Sequence, residues 1–364
     1  MKKIRVLIVD DSSLVRRILT EILSSDPGIE VVGSAMDPYI AREKIKKFNP
    51  DVLTLDVEMP KMDGIKFLDN LMRLRPMPVV MISSLTEKNA DVTLRALELG
   101  AFDFINKPKD DMANELGNYS TEIISKIKAA SRARLQTRSN VLTEEKKETD
   151  HDIDERFSAT VILKRNRVPV KSGISEKIIA IGASTGGTEA IKEILLALRS
   201  ESPGIVITQH IPKAFSSAFA IRMDSMSQLK VQEASDGQKI LAGNVYIAPG
   251  DKHLLVVKDG SHYRCKLNDG PPVNRHKPSV DVLFRSVAQE VGKNATGILL
   301  TGMGSDGARG LLEILESGGM TIAQDEITSV VWGMPGAAVE LGAANYILPL
   351  DRIAYKIETR NQQN

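Results

Sequence analysis

The sequence predicts an α/β protein made of two doubly wound parallel sheets joined by a linker. Three observations carry that expectation. Short apolar, β-branched runs alternate with helix-period segments through residues 1–107, the pattern of a parallel sheet covered on both faces. The same alternation resumes at Ile178, and between Gln136 and about Lys177 the hydrophobic periodicity vanishes. A chain of 364 residues with 42% hydrophobic content has room for two such cores. The expected organisation is 1–125 as a first domain, 126–174 as a helix end and flexible linker, and 175–360 as a second domain.

Composition narrows the function classes. A net charge of +1 gives no electrostatic case for nucleic-acid binding, and 4% aromatic residues argues against stacking on single strands. One cysteine, Cys265, excludes an intramolecular disulfide framework and a multi-cysteine metal site; it reads as a half-buried strand residue. The opening MKKIRVLIVDD superficially resembles a secretion signal, but its apolar residues are interrupted by Arg5 and stop at Asp10. With no apolar stretch long enough to span a bilayer, the expectation is a soluble, cytoplasmic protein without direct membrane insertion.

In chain order, the first domain reads as strand Ile4–Val9, helix Ser13–Leu23, strand Glu30–Ala35, helix Ile40–Phe48, strand Val52–Leu55, helix Gly64–Leu74, strand Val79–Ile82, helix Lys88–Leu99 and strand Ala101–Ile105. A last helix, Asn118–Leu135, presents Ile123, Ile124, Ile127 and Ala130 on one side. Ligands of such sheets gather beyond the C-terminal strand ends, where this chain places Asp10, Asp11, Asp56, Ser83 and Lys107. Carboxylates converging on one point repel one another unless a cation joins them, and an all-oxygen set without histidine suits Mg²⁺. A metal, a hydroxyl and a lysine around one carboxylate would stabilise an incoming phosphoryl group, which makes Asp56 a candidate acceptor. Pro108 after Lys107 biases the lysine backbone towards extended geometry.

With Asp10-Asp11, Asp56, Met59-Pro60, Asp63-Gly64, Ser83 and Lys107-Pro108, residues 1–125 resemble the receiver domain of bacterial two-component response regulators, a flavodoxin-like fold. The resemblance implies a histidine kinase as phosphoryl donor, Asp56 as acceptor, and Mg²⁺ held by Asp11, Asp56 and the Glu58 carbonyl with help from Asp10. It also implies that Ser83 and Phe104 pass the signal outward; the plain reading of Phe104 is a core aromatic.

In the linker, Glu144–Arg156 carries seven acidic against three basic residues, which favours a solvated chain over a packed one. One short strand, Ala159–Leu163, is expected within it.

The second domain opens with strand Ile178–Ile181, then Gly182-Ala183-Ser184-Thr185-Gly186-Gly187, then a helix with Ile191, Ile194, Leu195 and Leu198 on one face. A serine on a strand-to-helix turn is presented near free backbone N–H groups, as a nucleophile requires. A phosphate-binding loop would need Lys then Ser/Thr after its last glycine, and here Thr188-Glu189 follows. The glycine spacing is also wrong for a dinucleotide fingerprint. The stretch alone leaves open a glycine turn that merely packs helix on strand.

Serine needs a base in reach, itself oriented by a third group. Of five histidines, His151 lies in the linker and His253 and His262 in or beside a hairpin, Leu254–Leu267. His276 sits in the basic loop Asn274–Lys277, which disfavours its protonated form. His210 ends the strand Gly204–Thr208, next after the serine's helix, where adjacent strand ends would set it beside Ser184. The third member is expected at another strand end. Asp306 lies on the glycine-rich turn Thr301–Gly307 between strand Ala295–Leu300 and helix Ala308–Leu315; Asp325, after Thr321–Ala323, competes, and the turn favours Asp306.

The runs Ile181–Gly187, Thr208–Pro212, Ala248–Gly250 and Leu300–Gly307 make residues 175–360 resemble the catalytic domain of the bacterial chemotaxis protein-glutamate methylesterases, the CheB family, a Rossmann-like α/β fold. A receiver in front of such a domain is the family arrangement. The resemblance implies phosphorylation-regulated hydrolysis of glutamate γ-methyl esters on methyl-accepting chemoreceptors, and deamidation of receptor glutamines. In that chemistry Ser184, His210 and Asp306 form the triad, the Met303 N–H serves the oxyanion and Thr185 helps to position His210. No metal is expected in this half. The rival readings are a regulator with a non-catalytic second domain and a DNA-binding regulator, the latter weakened by neutral charge.

Overall fold

Capped helices alternating with buried strands organise the N-terminal half of the computed structural model, which describes residues 2–59, 62–84, 86–107, 116–133, 158–165 and 176–362. The chain divides into two units, residues 1–141 and 142–364. The first contains β1 (Ile4–Val9), α1 (Ser13–Ser24), β2 (Ile29–Ala35), α2 (Pro38–Phe48), β3 (Val52–Asp56), α3 (Gly64–Leu74), β4 (Val79–Ser83), α4 (Glu87–Glu98), β5 (Asp103–Asn106) and α5 (Leu116–Arg132). The strands form one parallel sheet in the order β2-β1-β3-β4-β5. β3 and β4 are buried at every position, as strands covered on both faces must be.

Side chains start four of the helices: Ser12, Asp37, Asp63 and Thr86 accept hydrogen bonds from the N–H groups of Val15, Ile40, Ile65 and Asn89. α2 begins two residues before its apolar period shows, because Pro38 fits the first turn, where its missing N–H costs nothing. β3 and β4 each run one residue past their apolar stretch: Asp56 pairs with Ile82 and Ser83 with Asn106. The strand order reverses direction between β1 and β3, and Asp10 and Asp56 stand at that switch point.

The second unit contains β6 (Ile178–Ala183), α6 (Gly187–Ala197), β7 (Gly204–Gln209), α7 (Lys213–Met226), β8 (Lys230–Glu233), β9 (Asn244–Ile247), β10 (His253–Asp259), β11 (His262–Asn268), α8 (Val280–Glu290), β12 (Ala295–Leu299), α9 (Ala308–Glu316), β13 (Met320–Gln324), α10 (Met334–Glu340), β14 (Tyr346–Leu348) and α11 (Leu350–Gln362). Its parallel sheet has the order β14-β13-β12-β6-β7-β9-β8, and β10 and β11 form the expected antiparallel hairpin. The switch point lies between β6 and β12, so the loops after β12, β6 and β7 share one end of the sheet. The two parallel sheets bear out the expected fold class.

Two expectations need correction. The segment at 159–163 is a 3-10 turn, Ala159–Val161, not a strand, and Ser158 caps it. Residues 158–165 also depart from a flexible linker: Ala159 is buried with Leu255, Val273 and Val282, and Arg285 bonds to Thr160 and Leu163. Composition averages over a window and cannot see one alanine finding a cavity. The charge-rich run 144–156, His151 and Pro108 lie outside the described residues.

Candidate active sites

In the first unit the strand ends deliver the expected polar cluster. Asp10 and Asp56 are buried, Asp11 is exposed, and one carboxylate oxygen from each lies within 4.8 Å of the others. Lys107 Nζ donates to Asp56 Oδ2 at 2.8 Å and stands 3.7 Å from Asp10 Oδ2. Asp10 Oδ1 accepts from the Ser12 N–H at 2.8 Å, whereas Oδ2 is buried without a hydrogen-bond partner. Ser83 is buried and accepts from the Thr93 hydroxyl at 2.9 Å; the Glu58 N–H donates to Asp56 Oδ1 at 3.2 Å. Phe104 is buried, with Lys126 Nζ donating to its carbonyl at 2.7 Å and lying 5.5 Å from its ring.

Electrostatics follow from that packing. Burial, then the neighbouring Asp10 charge, pushes Asp56 up to about 6, against the opposing Lys107. Burial likewise raises Asp10. Burial alone would lower Lys107, but its bond to Asp56 and the surrounding carboxylates hold it above the usual lysine range. Crowded, partly uncompensated carboxylates with an orphaned buried oxygen are chemically suited to a hard divalent cation.

In the second unit the sheet register places the serine. Ala183 pairs with Gln209, the His210 N–H donates to the Ala183 carbonyl at 3.1 Å, and the Ser184 N–H donates to the Thr301 carbonyl at 3.0 Å. Ser184 therefore sits between the turn after β12 and the end of β7. The Gln209 side-chain amide donates to the Ser184 carbonyl at 2.8 Å, and Gly186, with φ 77°, turns the chain into α6. Gly302 admits no side chain: a Cβ there would lie 2.8 Å from Ser184 Cβ and 2.2 Å from Met334 Sδ. Met303 follows it directly, and the buried Thr185 carbonyl accepts from the Thr301 hydroxyl at 2.9 Å.

His210 Nε2 lies 2.9 Å from Asp306 Oδ2, and its Nδ1 is buried with no hydrogen-bond partner. Asp306 is saturated with donors: Asn274 Nδ2 at 2.7 Å, Ser279 Oγ at 2.8 Å, and the N–H groups of Val280 at 2.7 Å and Asp281 at 3.3 Å. The last two open α8, so the carboxylate caps a helix N-terminus and meets its positive end. Burial opposes ionisation of Asp306, but the His210 bond and charge, His276 and Asn274 outweigh it and hold the group well below the usual range. Because Asp306 stays ionised, Nε2 of His210 carries its hydrogen and Nδ1 carries the lone pair.

The triad members expected from sequence are brought to one end of the sheet. Asp325 instead holds its own turn, accepting from Thr328 N–H at 3.0 Å and hydroxyl at 2.6 Å. His276, set aside as the base, joins the site in another way: its ring stacks on His210, with centroids 3.8 Å apart and planes 12° apart. Asn274 and Arg275 adopt left-handed backbone, φ 51° and 68°, which folds this loop back over His210. Asn274, Ser279 and Asp281 were not expected at the site. Asp281 accepts from Asn274 at 2.7 Å and from the Gly310 N–H at 2.7 Å, and burial beside Asp306 raises it. His253, buried in the hairpin, supports the same segment: Nδ1 accepts from the Ser279 N–H at 3.2 Å and Nε2 donates to the Pro271 carbonyl at 3.0 Å. No local motif marks these residues; only a cluster of polar types between Asn274 and Asp281 hints at them.

Comparison with known proteins agrees with both halves. Residues 6–116 match the response regulator receiver domain family and residues 179–357 the CheB methylesterase family. A protein-glutamate methylesterase/protein-glutamine glutaminase of Hydrogenovibrio crunogenus is 58% identical over 371 residues, covering 98% of each chain. A protein of the same name from Xanthomonas campestris is 55% identical, covering 97% of this chain and 96% of the relative. The crystal structure of the Thermotoga maritima CheB methylesterase catalytic domain superposes with a TM-score of 0.51 at 38% identity, covering 51% of this chain and 100% of that one. The chain belongs to the CheB family of protein-glutamate methylesterases/protein-glutamine glutaminases that carry a receiver domain.

Proposed function

We propose that this chain hydrolyses glutamate γ-methyl esters, and deamidates glutamines, on methyl-accepting chemoreceptors, under control of phosphorylation at Asp56. The observation that carries the catalytic half is the His210–Asp306 pair, with the histidine's other nitrogen left unpaired beside the strand end that bears Ser184. His210 Nδ1 takes the hydroxyl proton as Ser184 Oγ attacks the ester carbonyl. Asp306, ionised and fixed by its donors, orients the ring and stabilises the imidazolium. The Met303 N–H stabilises the oxyanion of the tetrahedral intermediate, and Thr185 helps to position His210. Collapse returns the proton from His210 to the methoxide, so methanol leaves and the acyl-enzyme remains. Water then gives its proton to Nδ1 and attacks the acyl carbon; collapse breaks the bond to Oγ, His210 returns the proton to Ser184, and the glutamate acid is released. With glutamine, ammonia leaves in place of methanol.

In the receiver, Asp11, Asp56 and the Glu58 carbonyl are the proposed Mg²⁺ ligands, assisted by Asp10. When bound, the ion offsets the negative charge of the incoming phosphoryl group. Asp56 accepts that group from a histidine kinase, Lys107 neutralises its oxygens, and Ser83 and Phe104 relay the change. Among the described residues no helix is long and apolar enough to cross a membrane, and the proposed site of action is the cytoplasmic face of the receptors.

The test is methanol release from methylated receptor membranes by wild type and Ser184→Ala, each with and without a small phosphodonor. The reading predicts release that requires Ser184 and rises with the donor. Absence of release from intact, phosphorylated protein would favour a non-catalytic binding role for the second domain.

A further inference from the structure

Ser158–Arg165 form a strap against the rest of the second unit, and what they grip is the base of the loop that reaches His210. Ala159, 4% exposed, joins Leu255, Val273 and Val282 in a small buried cluster on which Ile162 and Leu163 pack. Ile162 occupies the space over Gly270, where a Cβ would come within 2.3 Å of its Cδ1. Polar contacts fix the strap along α8 and α9. Arg285 donates to Thr160 Oγ1 at 3.1 Å and to the Leu163 carbonyl at 3.0 Å, Gln289 donates to the Lys164 carbonyl at 2.7 Å, and Arg165 pairs with Glu316 at 2.6 Å. Arg285 is itself buried and locked to Glu313 at 2.7 and 2.9 Å.

Val273 joins this cluster to the chemistry. Its N–H donates to the His276 carbonyl at 3.0 Å, and the His276 N–H donates to the Val273 carbonyl at 2.8 Å. Between these bonds Asn274 and Arg275 turn through left-handed backbone, sending Asn274 to Asp306 and laying His276 on His210. Non-glycine residues hold that conformation only where their surroundings over-determine it.

We infer that the strap sets the position of the Val273–His276 turn, and that Ile162 is a positioning residue for His210 and Asp306, acting through Val273. The inference deepens the proposed function and rests on its assignment of those two residues. A stretch that composition marks as linker is thereby part of the catalytic domain's working structure.

The test uses the full chain carrying Ile162→Ala, with Ile240→Ala as control. Ile240 is buried and packs near Gly204, at the end of β7 opposite His210. Two measurements are made: the ring-proton NMR signals of His210 and His276, and the kinetics of methanol release. Ile162→Ala should shift both ring signals and lower kcat about tenfold with KM unchanged, the size expected when a catalytic group is slightly misplaced. Ile162→Leu should restore most of the rate. In a background carrying both Asn274→Ala and His276→Ala the same substitution should cost less than about twofold, because both of its paths are already cut. Ile240→Ala should lower Tm while leaving ring signals and kcat as in wild type. Unmoved ring signals, or costs that simply multiply in the background lacking both side chains, would overturn the inference. If wild type releases no methanol the catalytic reading falls, and the ring signals alone decide whether the strap places the turn.

Discussion

The two halves of this chain build their sites in the same place and treat buried carboxylates in opposite ways. Each site lies where the strand order of a parallel sheet reverses. In the receiver, Asp10 and Asp56 share one lysine, one oxygen is left unpartnered, and Asp56 is pushed up to about 6. In the esterase domain, Asp306 is surrounded by donors, caps a helix and is held ionised. The first arrangement is unfinished without a cation and a phosphoryl group. The second is complete in the protein itself, as expected of a group that orients a base. Solvation, more than residue type, separates a phosphoryl acceptor from a triad acid.

The sharpest way to break this comparison is to remove what the saturated site serves. Ser184→Ala should lower methanol release by about 10⁴-fold or more, since the hydroxyl that forms the acyl-enzyme is gone. Asp306→Asn should cost about 10³-fold or more in kcat. An amide nitrogen would face the donors of Asn274, Ser279, Val280 or Asp281, so the melting temperature of this domain should fall as well. Trp332, the chain's one tryptophan, lies in the second unit and reports that melting by fluorescence. A fully active Asp306→Asn variant would remove it from the triad.

Metal removal separates the halves. A chelator should abolish phosphodonor labelling of Asp56 while leaving basal ester turnover unchanged, measured on one sample by intact mass and methanol release. Loss of basal turnover on chelation would place a metal in the esterase site and sink the contrast.

The pH responses should also differ in sign. In chelated protein the Asp56 pKa is raised from 3.8 to about 6, so between those values the folded state binds more protons than the unfolded one. Stability from this group is present below about 4 and declines as pH rises towards 6, by on the order of 3 kcal/mol. Asp306 is lowered, so its contribution is present above the unfolded value of 3.8 and is lost as pH falls below it. Far-ultraviolet circular dichroism follows both units and Trp332 fluorescence the second. Between pH 4 and 6 the Asp56-dependent loss should appear in the first signal and be absent from the second.

The comparison also explains what was legible beforehand. Asp10, Asp56, Ser184 and His210 could be read because each lies at, or directly after, the last residue of a strand, and Asp306 because the glycine-rich turn after β12 leads straight into a helix. β8, β9 and β14 escaped notice because strands of three or four residues carry too few positions for a period. Asn274, Ser279 and His276 were illegible for another reason. They reach Asp306 or His210 from 27 to 66 residues away in sequence, through a left-handed turn that no local motif announces. A saturated carboxylate needs many donors, and donors converge from wherever the chain passes. An under-solvated one needs only its neighbours on the sheet, which is why the receiver cluster was the easier to recognise.

The smallest expected effect tests whether Lys107 really competes with the metal. Its ammonium lies 2.8 Å from Asp56 Oδ2 and 3.7 Å from Asp10 Oδ2, so it already offsets part of the charge that a divalent cation would meet. Replacing it by the similarly shaped, neutral methionine removes a like charge from the cation's surroundings. Lys107→Met should therefore tighten Mg²⁺ binding by about fivefold, roughly 1 kcal/mol of repulsion at a partly solvated site. The same variant should accept phosphate more slowly, because the lysine that neutralises the phosphoryl oxygens is gone. A Mg²⁺ titration by calorimetry, paired with phosphodonor labelling, reads both. Tighter metal with slower labelling fits a lysine that shares the carboxylates with the ion. Weaker metal binding would mean that Lys107 holds Asp56 in a ligating position, and that this site too depends on fixed geometry more than on unmet charge.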